Sequence, residues 1–235
     1  MIAYKQRTAL CFLTLLGVTL LSFSETVAGH PMDERNAAFV QSIDGVAFWP
    51  FLYLGAKHMV TGYDHLLFLV GVIFYLYKLS DVVLYVSLFT LGHSVTLLFG
   101  VLGGINVNAY VIDAIIGLSV AYKAFENMGG FERLLGFRPN SKVAVLIFGL
   151  FHGLGLATKL QEFTMDQSGL VANILSFNAG VEVGQILALS AVLIGFLYWR
   201  TRASFLRFSL TTNVALMIGG FVFGGNQMIG YILFS

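Results

Sequence analysis

Residues 82–102 read VVLYVSLFTLGHSVTLLFGVL, a run of 21 residues without an acidic residue, a lysine or an arginine. At about 1.5 Å per residue, a helix of this length covers the roughly 30 Å hydrocarbon core of a bilayer. The whole chain has the same character, because 57% of its 235 residues are hydrophobic and only 11% are charged. This composition cannot cover a soluble globule, so it predicts an integral membrane protein and excludes a soluble enzyme.

Five further apolar segments are long enough to cross a membrane, and we expect six transmembrane helices. In chain order the six segments are 57–77, 82–102, 108–125, 142–159, 171–199 and 208–233. The 26 glycines and 22 phenylalanines favour a helical bundle with small residues at helix contacts over a barrel of alternating strands. The sequence therefore predicts an all-α, polytopic membrane bundle in a single domain.

The N-terminus has the pattern of a secretory signal peptide. A basic start precedes an apolar run over residues 8–23 and small residues up to Ala28. We expect a signal peptide over residues 1–28 and a six-span domain over residues 29–235, and an uncleaved signal anchor is the alternative. The only cysteine, Cys11, would leave with the signal peptide. Metal ligands of the mature chain must then be histidine or oxygen donors.

The basic residues predict the orientation of the bundle. A signal peptide places the mature N-terminus outside, and six spans return the C-terminus to the same side. The loops that this scheme places inside contain most of the basic residues, namely Lys78, Arg133, Arg138, Lys142, Arg200, Arg202 and Arg207. This is the positive-inside pattern, and it predicts a bacterial inner-membrane protein with both mature termini in the periplasm. The net charge of +1, without runs of like charge, indicates lipid and not nucleic acid as the partner.

Ionisable side chains inside the predicted spans are the candidate functional residues. A charged group in hydrocarbon costs at least about 2.5–3.5 kcal/mol, so such groups normally pair, bind ions or line a wet cavity. The helical rise places most of them at a similar depth near the middle of the membrane, with His58 nearer the outer face. The candidate metal ligands are His58, Asp64, His65, His93, His152 and Glu182.

Helical spacing predicts that these side chains converge on a common interior. His58 and His65 are seven residues apart and share a helix face. Gly149 and Gly155 flank His152 at i−3 and i+3, which lets other helices approach its ring. The supporting polar residues are Thr90 on the second span and Asn178 and Gln185, which form a stripe with Glu182 on the fifth span.

The third span carries four weaker candidates, Asp113, Tyr122, Lys123 and Glu126. Lys123 and Glu126 lie near its inner end, where long side chains can extend to the interface, so we expect a structural role for them.

Several imidazoles near the middle of the membrane favour a divalent transition-metal site. Neutral imidazole is a ligand for Ni²⁺, Co²⁺, Cu²⁺ and Zn²⁺, and a carboxylate supplies compensating charge or orients a ring through its other N–H. Structural hydrogen bonds between helices are the alternative reading. The sequence has no glycine-rich loop followed by Lys-Ser or Lys-Thr. Transport would therefore run down a gradient, be coupled to an ion, or rely on a separate component.

Three segments resemble the motifs of one family. They are the H-x5-D-H pattern at 58–65, the F-H-G pattern at 151–153 and FNAGVEVGQ at 177–185. On these segments the chain resembles the HupE/UreJ family, regarded as nickel or cobalt permeases associated with hydrogenase and urease maturation. The family has a signal peptide and six mature spans. The resemblance implies metal contact by His58, Asp64, His65 and His152, with Glu182 as a further participant.

The chain departs from the family pattern after the F-H-G motif, and the resemblance also implies binding partners. Some members follow F-H-G with a second histidine and an acid, where this sequence has Leu156 and Lys159. The implied partners are the metal ion and proteins of metalloenzyme maturation. The glycine pairs at 219–220 and 224–225 allow tight helix association within or between chains, so a homo-oligomer stays open.

Functions of different classes fit this sequence. The leading hypothesis is a permease for nickel or cobalt that captures a periplasmic cation near His58 and relays it to the deeper ligands. The alternative is a zinc-dependent intramembrane hydrolase or protease, in which three histidines and an acid hold Zn²⁺ with one position open for water. A third reading is an assembly or anchoring protein that transports nothing. A permeation path needs successive weak ligand sets, whereas a hydrolase needs a single tight one.

Overall fold

The computed structural model describes residues 45–161 and 169–234, and the regular structure in these two ranges is helical. They are α1 (Phe48–Thr61), α2 (Tyr63–Ile73), α3 (Leu79–Leu102), α4 (Ala109–Asn127), α5 (Gly130–Leu135), α6 (Ser141–Gln161), α7 (Leu170–Arg200) and α8 (Ala203–Phe234). Within those two ranges there is no strand, in agreement with the all-α prediction. The predicted signal peptide over residues 1–28 lies outside the described residues.

Four helices in the described ranges are long and apolar enough to cross a membrane, namely α3, α6, α7 and α8. They correspond to the predicted segments 82–102, 142–159, 171–199 and 208–233. The third predicted segment, 108–125, coincides with α4, which contains three charged residues, Asp113, Lys123 and Glu126. The helices confirm a membrane protein, and six spans stay a prediction.

The first predicted segment, 57–77, does not form the single helix that we expected. The helix breaks at Gly62, where φ is −74° and ψ is 93°, so that α1 ends one residue before it and α2 begins one residue after it. A Cβ on Gly62 would lie 3.1 Å from His65 Nδ1 and 3.2 Å from Asp64 Oδ1. A side chain at this position would crowd these two groups. The residues around Gly62 are the polar part of the segment, with Thr61 before it and Asp64 and His65 after it, but the length of the segment alone predicted one continuous helix.

Three helix pairs make the most extensive contacts, α1 with α7, α3 with α6, and α4 with α8. Glycines allow the backbones of each pair to touch, because a Cβ on them would overlap backbone atoms of the partner helix. These glycines are Gly55, Gly180 and Gly184 in the first pair, Gly92, Gly149 and Gly153 in the second, and Gly117 and Gly220 in the third. The predicted small-residue contacts are thus confirmed within the chain, although Gly219 and Gly225 have nothing within 4 Å.

The short helix α2 lies among these pairs and contacts α1, α3, α4, α7 and α8. Arg200, at the end of α7, holds the C-terminal end of α2. It donates hydrogen bonds of 2.6–2.9 Å to the carbonyls of Ile73, Phe74 and Leu76. The last carbonyls of a helix lack partners within the helix, and a cation near them also interacts favourably with the helix dipole. Contacts from Arg200 on α7 therefore hold α2, the helix that follows the break, in place.

Candidate metal centre

Four histidine rings from four helices meet beside the break between α1 and α2. His65 on α2 lies at the centre of the group. Its ring centroid is 5.2 Å from that of His58 on α1, 5.8 Å from that of His93 on α3 and 4.7 Å from that of His152 on α6. The structure thus brings together all four histidines that helical spacing singled out. We call these four residues the histidine cluster.

Asp64 orients the central ring of the histidine cluster. Its Oδ1 accepts a hydrogen bond from the backbone N–H of His65 and lies 2.9 Å from His65 Nδ1. A carboxylate can only accept, so Nδ1 carries the ring proton and Nε2 keeps its lone pair. A carboxylate bonded to one ring N–H is the usual second neighbour of a metal-bound histidine. The geometry therefore gives Asp64 the role of orienting a ligand and supplying negative charge.

Ser119 on α4 orients His152 in a comparable way. Its hydroxyl donates to the carbonyl of Ile116 at 2.6 Å, and its Oγ lies 3.4 Å from His152 Nε2. Because the hydroxyl proton is already used, Oγ accepts from Nε2–H, and Nδ1 of His152 keeps the lone pair. Sequence reasoning missed Ser119. Its position four residues before Lys123 and seven before Glu126, on the helix face that those two share, was the available signal.

Several ring nitrogens of the histidine cluster are buried without hydrogen-bond partners in the described part of the chain, and in each neutral ring one nitrogen carries a lone pair. These atoms are His65 Nε2, His93 Nδ1 and Nε2, and His152 Nδ1. The three residues are 3%, 1% and 0% exposed. Buried polar groups are normally satisfied, and each one left without a partner costs about 1–3 kcal/mol. Three such rings side by side form a set of nitrogen donors suited to a transition metal.

Phenylalanine rings enclose the histidine cluster. Phe89 and Phe68 lie with their centroids 5.0 and 5.4 Å from that of His152, and Phe177 lies 6.1 Å from His58. Such an apolar wall lowers the local dielectric, which strengthens any interaction between the cluster and a cation. It also means that charge brought into the cluster must be compensated nearby.

The predicted supporting residues fasten α7 to α3, the helix that carries His93. Gln185 donates to Thr90 Oγ1 at 2.8 Å, and Asn178 donates to Ser94 Oγ at 2.9 Å. Ser94 follows His93 directly, and Thr90 precedes it by one turn. These bonds fix the position of His93 without touching its ring.

Glu182 does not join the histidine cluster, which corrects the prediction that it shares the inward stripe of α7. Its side chain is exposed on the surface of the bundle, whereas Gln185 is 1% exposed and bonds to α3. Residues seven apart, such as Asn178 and Gln185, differ by about 20° around a helix, but residues three apart differ by about 60°. Glu182 thus lies at the exposed edge of the face whose other polar residues, Asn178 and Gln185, bond to α3.

Two buried ion pairs occupy the charged residues of α4. Lys159 on α6 lies 2.9 Å from a carboxylate oxygen of Asp113, and Lys123 lies 2.8 Å from Glu126. Ser141 also donates to Glu126. Lys123 and Glu126, for which we expected a structural role, pair with each other and do not extend to the interface, since their side chains are 8% and 2% exposed.

Among the described residues, no three His, Cys, Asp or Glu side chains already surround a common point as metal ligands would.

Comparison with known proteins relates the chain to a family of proteins. The family model described as HupE / UreJ protein matches residues 34–235. That range contains the helix break, the histidine cluster and both ion pairs. No curated protein and no solved structure matches the chain.

Proposed function

The chain belongs to the HupE/UreJ family, and from this premise we propose that it is an inner-membrane permease for a divalent transition metal, with nickel or cobalt as the cargo. The family indicates a role in metal transport. The observation that carries the proposal is the group of buried, unpartnered nitrogens on His65, His93 and His152. In this proposal both mature termini are periplasmic, and the metal serves the maturation of metalloenzymes.

The spacing of the rings supports a relay. His58 is only half-buried, while the other three members of the histidine cluster are fully buried. His65 neighbours each of them at 4.7–5.8 Å between ring centroids. A cation bound first at His58 and His65 can therefore exchange ligands one at a time toward His152 or His93. Stepwise exchange keeps each site weak enough to release the ion.

The broken helix supports the same function. In transporters, ions bind where membrane helices are discontinuous, because helix ends and free carbonyls face the ion there. Here α1 ends and α2 begins beside the histidine cluster, so the negative end of one helix dipole and the positive end of the other oppose each other at the break. Asp64, in the first turn of α2, supplies a full negative charge at the same place. Imidazoles are neutral ligands, so this carboxylate compensates part of the charge of the metal.

Uptake into proteoliposomes tests the proposal. We expect the purified chain to transport Ni²⁺ or Co²⁺, measured by elemental analysis beside Cu²⁺ and Zn²⁺. His65→Ala and His152→Ala should each abolish uptake, because either change removes a nitrogen donor from the centre of the histidine cluster. Phe221→Ala is the matched control, since it removes an aromatic ring that is 55% exposed on α8.

Two results would contradict the permease. Uptake that survives both histidine substitutions would show that the histidine cluster is not the path. Absence of flux for all four metals, together with tightly bound Zn²⁺ that both substitutions release, would favour the zinc-dependent hydrolase instead.

A further inference from the structure

The connector between α4 and α6, which contains α5, carries large apolar side chains that the described residues do not cover. Leu134, Leu135 and Phe137 are 74%, 58% and 57% exposed. Every residue from 132 to 138 is exposed. Single exposed apolar side chains are common, but several in one short stretch mark a surface that meets a partner or a membrane. The position and the charge of the connector indicate which of these covers it.

Aromatic packing fixes the connector to α4. The ring centroid of Phe131 lies 4.7 Å from that of Tyr122 and 4.9 Å from that of Phe125. Gly130 allows this close approach, because a Cβ there would lie 2.3 Å from the Phe125 ring. Phe131 thus packs against α4, and the exposed residues that follow it are held at the end of that helix.

The connector lies at the level of the membrane surface. α6 is one of the helices that are long and apolar enough to cross a membrane. Its 21 residues cover about 32 Å, so its ends lie close to the two boundaries of a hydrocarbon core of roughly 30 Å. Ser141, the first residue of α6, donates to the carboxylate of Glu126 near the end of α4. Residues 128–140 join these two helix ends and therefore run along the bilayer surface.

The charge of the connector fits an anionic surface. Residues 128–142 contain the basic residues Arg133, Arg138 and Lys142 and one acidic residue, Glu132, which gives a net charge of +2. Arg138 Nε lies 3.8 Å from Glu132 Oε1, and the two side chains are 69% and 54% exposed. An ion pair that is so long and so exposed contributes little. The guanidinium of Arg138 can therefore turn to a phosphate, which it binds through two N–H groups.

We propose that Arg133, Leu134, Leu135, Phe137 and Arg138 bind anionic phospholipid, and we call these five residues the connector surface. The three apolar side chains enter the boundary between headgroups and acyl chains, and the two guanidiniums bind headgroup phosphates. Apolar side chains together with basic ones are typical of segments that lie in the membrane interface. This inference goes beyond metal transport and depends only on the location of the chain in a membrane.

The depth of Phe137 tests the apolar part of the connector surface. Phe137→Cys is made in the full-length chain with Cys11→Ser, labelled with a bimane fluorophore and reconstituted into phosphatidylglycerol vesicles. We expect lipid that carries bromine near the headgroup end of its acyl chains to quench the fluorescence, and aqueous iodide to leave it unchanged. Leu187→Cys is the reference for a position that faces lipid, because Leu187 is 62% exposed on the spanning helix α7. Quenching by iodide alone would place the connector surface in water, where it would fit a soluble protein, and would overturn the proposal.

Lipid binding tests the arginines of the connector surface. Native mass spectrometry of the purified full-length chain, titrated with phosphatidylglycerol in detergent, gives the dissociation constant. Each basic residue near an anionic surface raises the affinity about fivefold, so Arg133→Gln/Arg138→Gln should raise the dissociation constant by about 20–30-fold. Arg202→Gln/Arg207→Gln is the matched control, because it removes the same charge from another exposed segment.

Three outcomes of the titration would overturn the proposal. Unchanged affinity in Arg133→Gln/Arg138→Gln would show that these arginines do not bind the headgroup. Equal weakening in the two double variants would show that total charge, and not the connector surface, attracts the lipid. Displacement of the lipid by millimolar glycerol phosphate would show that the apolar side chains add nothing to a phosphate site. The changed residues are exposed, so we expect the variants to fold, which gel filtration in detergent checks, and the bimane experiment decides if the arginine variant does not.

Discussion

The chemistry of single residues decides which ring nitrogens of the histidine cluster face inward as donors. Asp64 Oδ1 accepts a hydrogen bond from Nδ1–H of His65, and Ser119 Oγ accepts one from Nε2–H of His152. The two rings therefore offer opposite nitrogens, Nε2 from one and Nδ1 from the other. A cation between them meets two lone pairs whose direction is set by the adjacent residue in one case and by a residue on α4 in the other.

Asp64→Asn tests the orienting carboxylate. The amide retains the shape of the side chain but loses its charge and can present an N–H to the ring. We expect metal affinity to fall by about 10–100-fold, as is typical when the partner of a ligating histidine is changed. Co²⁺ titration measures the change. Asp81→Asn is the matched control, because Asp81 also lies in the first turn of a helix, α3, but outside the histidine cluster. Equal affinity of the two variants for Co²⁺ would show that Asp64 does not contribute to metal binding.

At the scale of single elements, α2 is the unusual helix. It has 11 residues, begins after the break at Gly62 and ends under the guanidinium of Arg200. The rings of Tyr77 and Phe196 lie 4.7 and 5.2 Å from that guanidinium. Both ends of α2 are thus fixed by features outside its own hydrogen-bond ladder. This arrangement holds His65 in place although the helix is too short to span a membrane.

Arg200→Gln tests the capping of α2. A hydrogen bond to a charged group contributes about 1.5–3 kcal/mol, and the substitution removes such bonds from three carbonyls. We expect the free energy of unfolding to fall by about 2–3 kcal/mol, measured by denaturant titration in detergent. Arg202→Gln is the control, since Arg202 is exposed and should change stability by less than about 1 kcal/mol. Equal losses in the two variants would mean that the cap does not stabilise α2.

At the scale of the tertiary structure, the described residues, 45–161 and 169–234, contain three glycine-packed helix pairs that surround α2. Each pair joins elements that are distant in the sequence, as α1 and α7 or α4 and α8 are. Between lipid-facing helices the hydrophobic effect gives little attraction, so close packing of small residues carries the association. The histidine cluster draws on α1, α3 and α6 in addition to α2, so the separation between its rings depends on how the pairs are packed.

Gly220→Val tests this packing. A Cβ at Gly220 would lie 2.6 Å from the backbone nitrogen of Ala121 on α4, so the two helices must separate. Overpacking of this kind costs about 1–3 kcal/mol, and we expect a lower melting temperature by circular dichroism in detergent. Gly219→Val is the matched control on the same helix, because nothing lies within 4 Å of Gly219. A normal melting temperature in Gly220→Val would contradict the role of this contact.

The sequence predicted the class of the protein and the position of its long helices. The run at 82–102 became α3 with a start three residues earlier, and the run at 108–125 became α4. Hydropathy is a local property, and a membrane requires every long apolar segment to satisfy its own backbone as a helix. For the same reason the four histidines could be recognised as unusual from the sequence, since each interrupts an otherwise apolar segment.

The tertiary structure decided what these residues do to one another. At the break, a Cβ on Gly62 would lie 3.1 Å from His65 Nδ1 and 3.2 Å from Asp64 Oδ1, a close approach that the sequence alone does not show. Which nitrogen of His152 keeps the lone pair depends on its hydrogen bond to Ser119, which lies 33 residues away in the chain. Glu182 is exposed although it shares a helix face with Asn178 and Gln185, which bond to α3, so its exposure followed from the packing of the helices and not from spacing. The sequence thus determined which groups enter the membrane, whereas contacts between distant helices determined which of them meet.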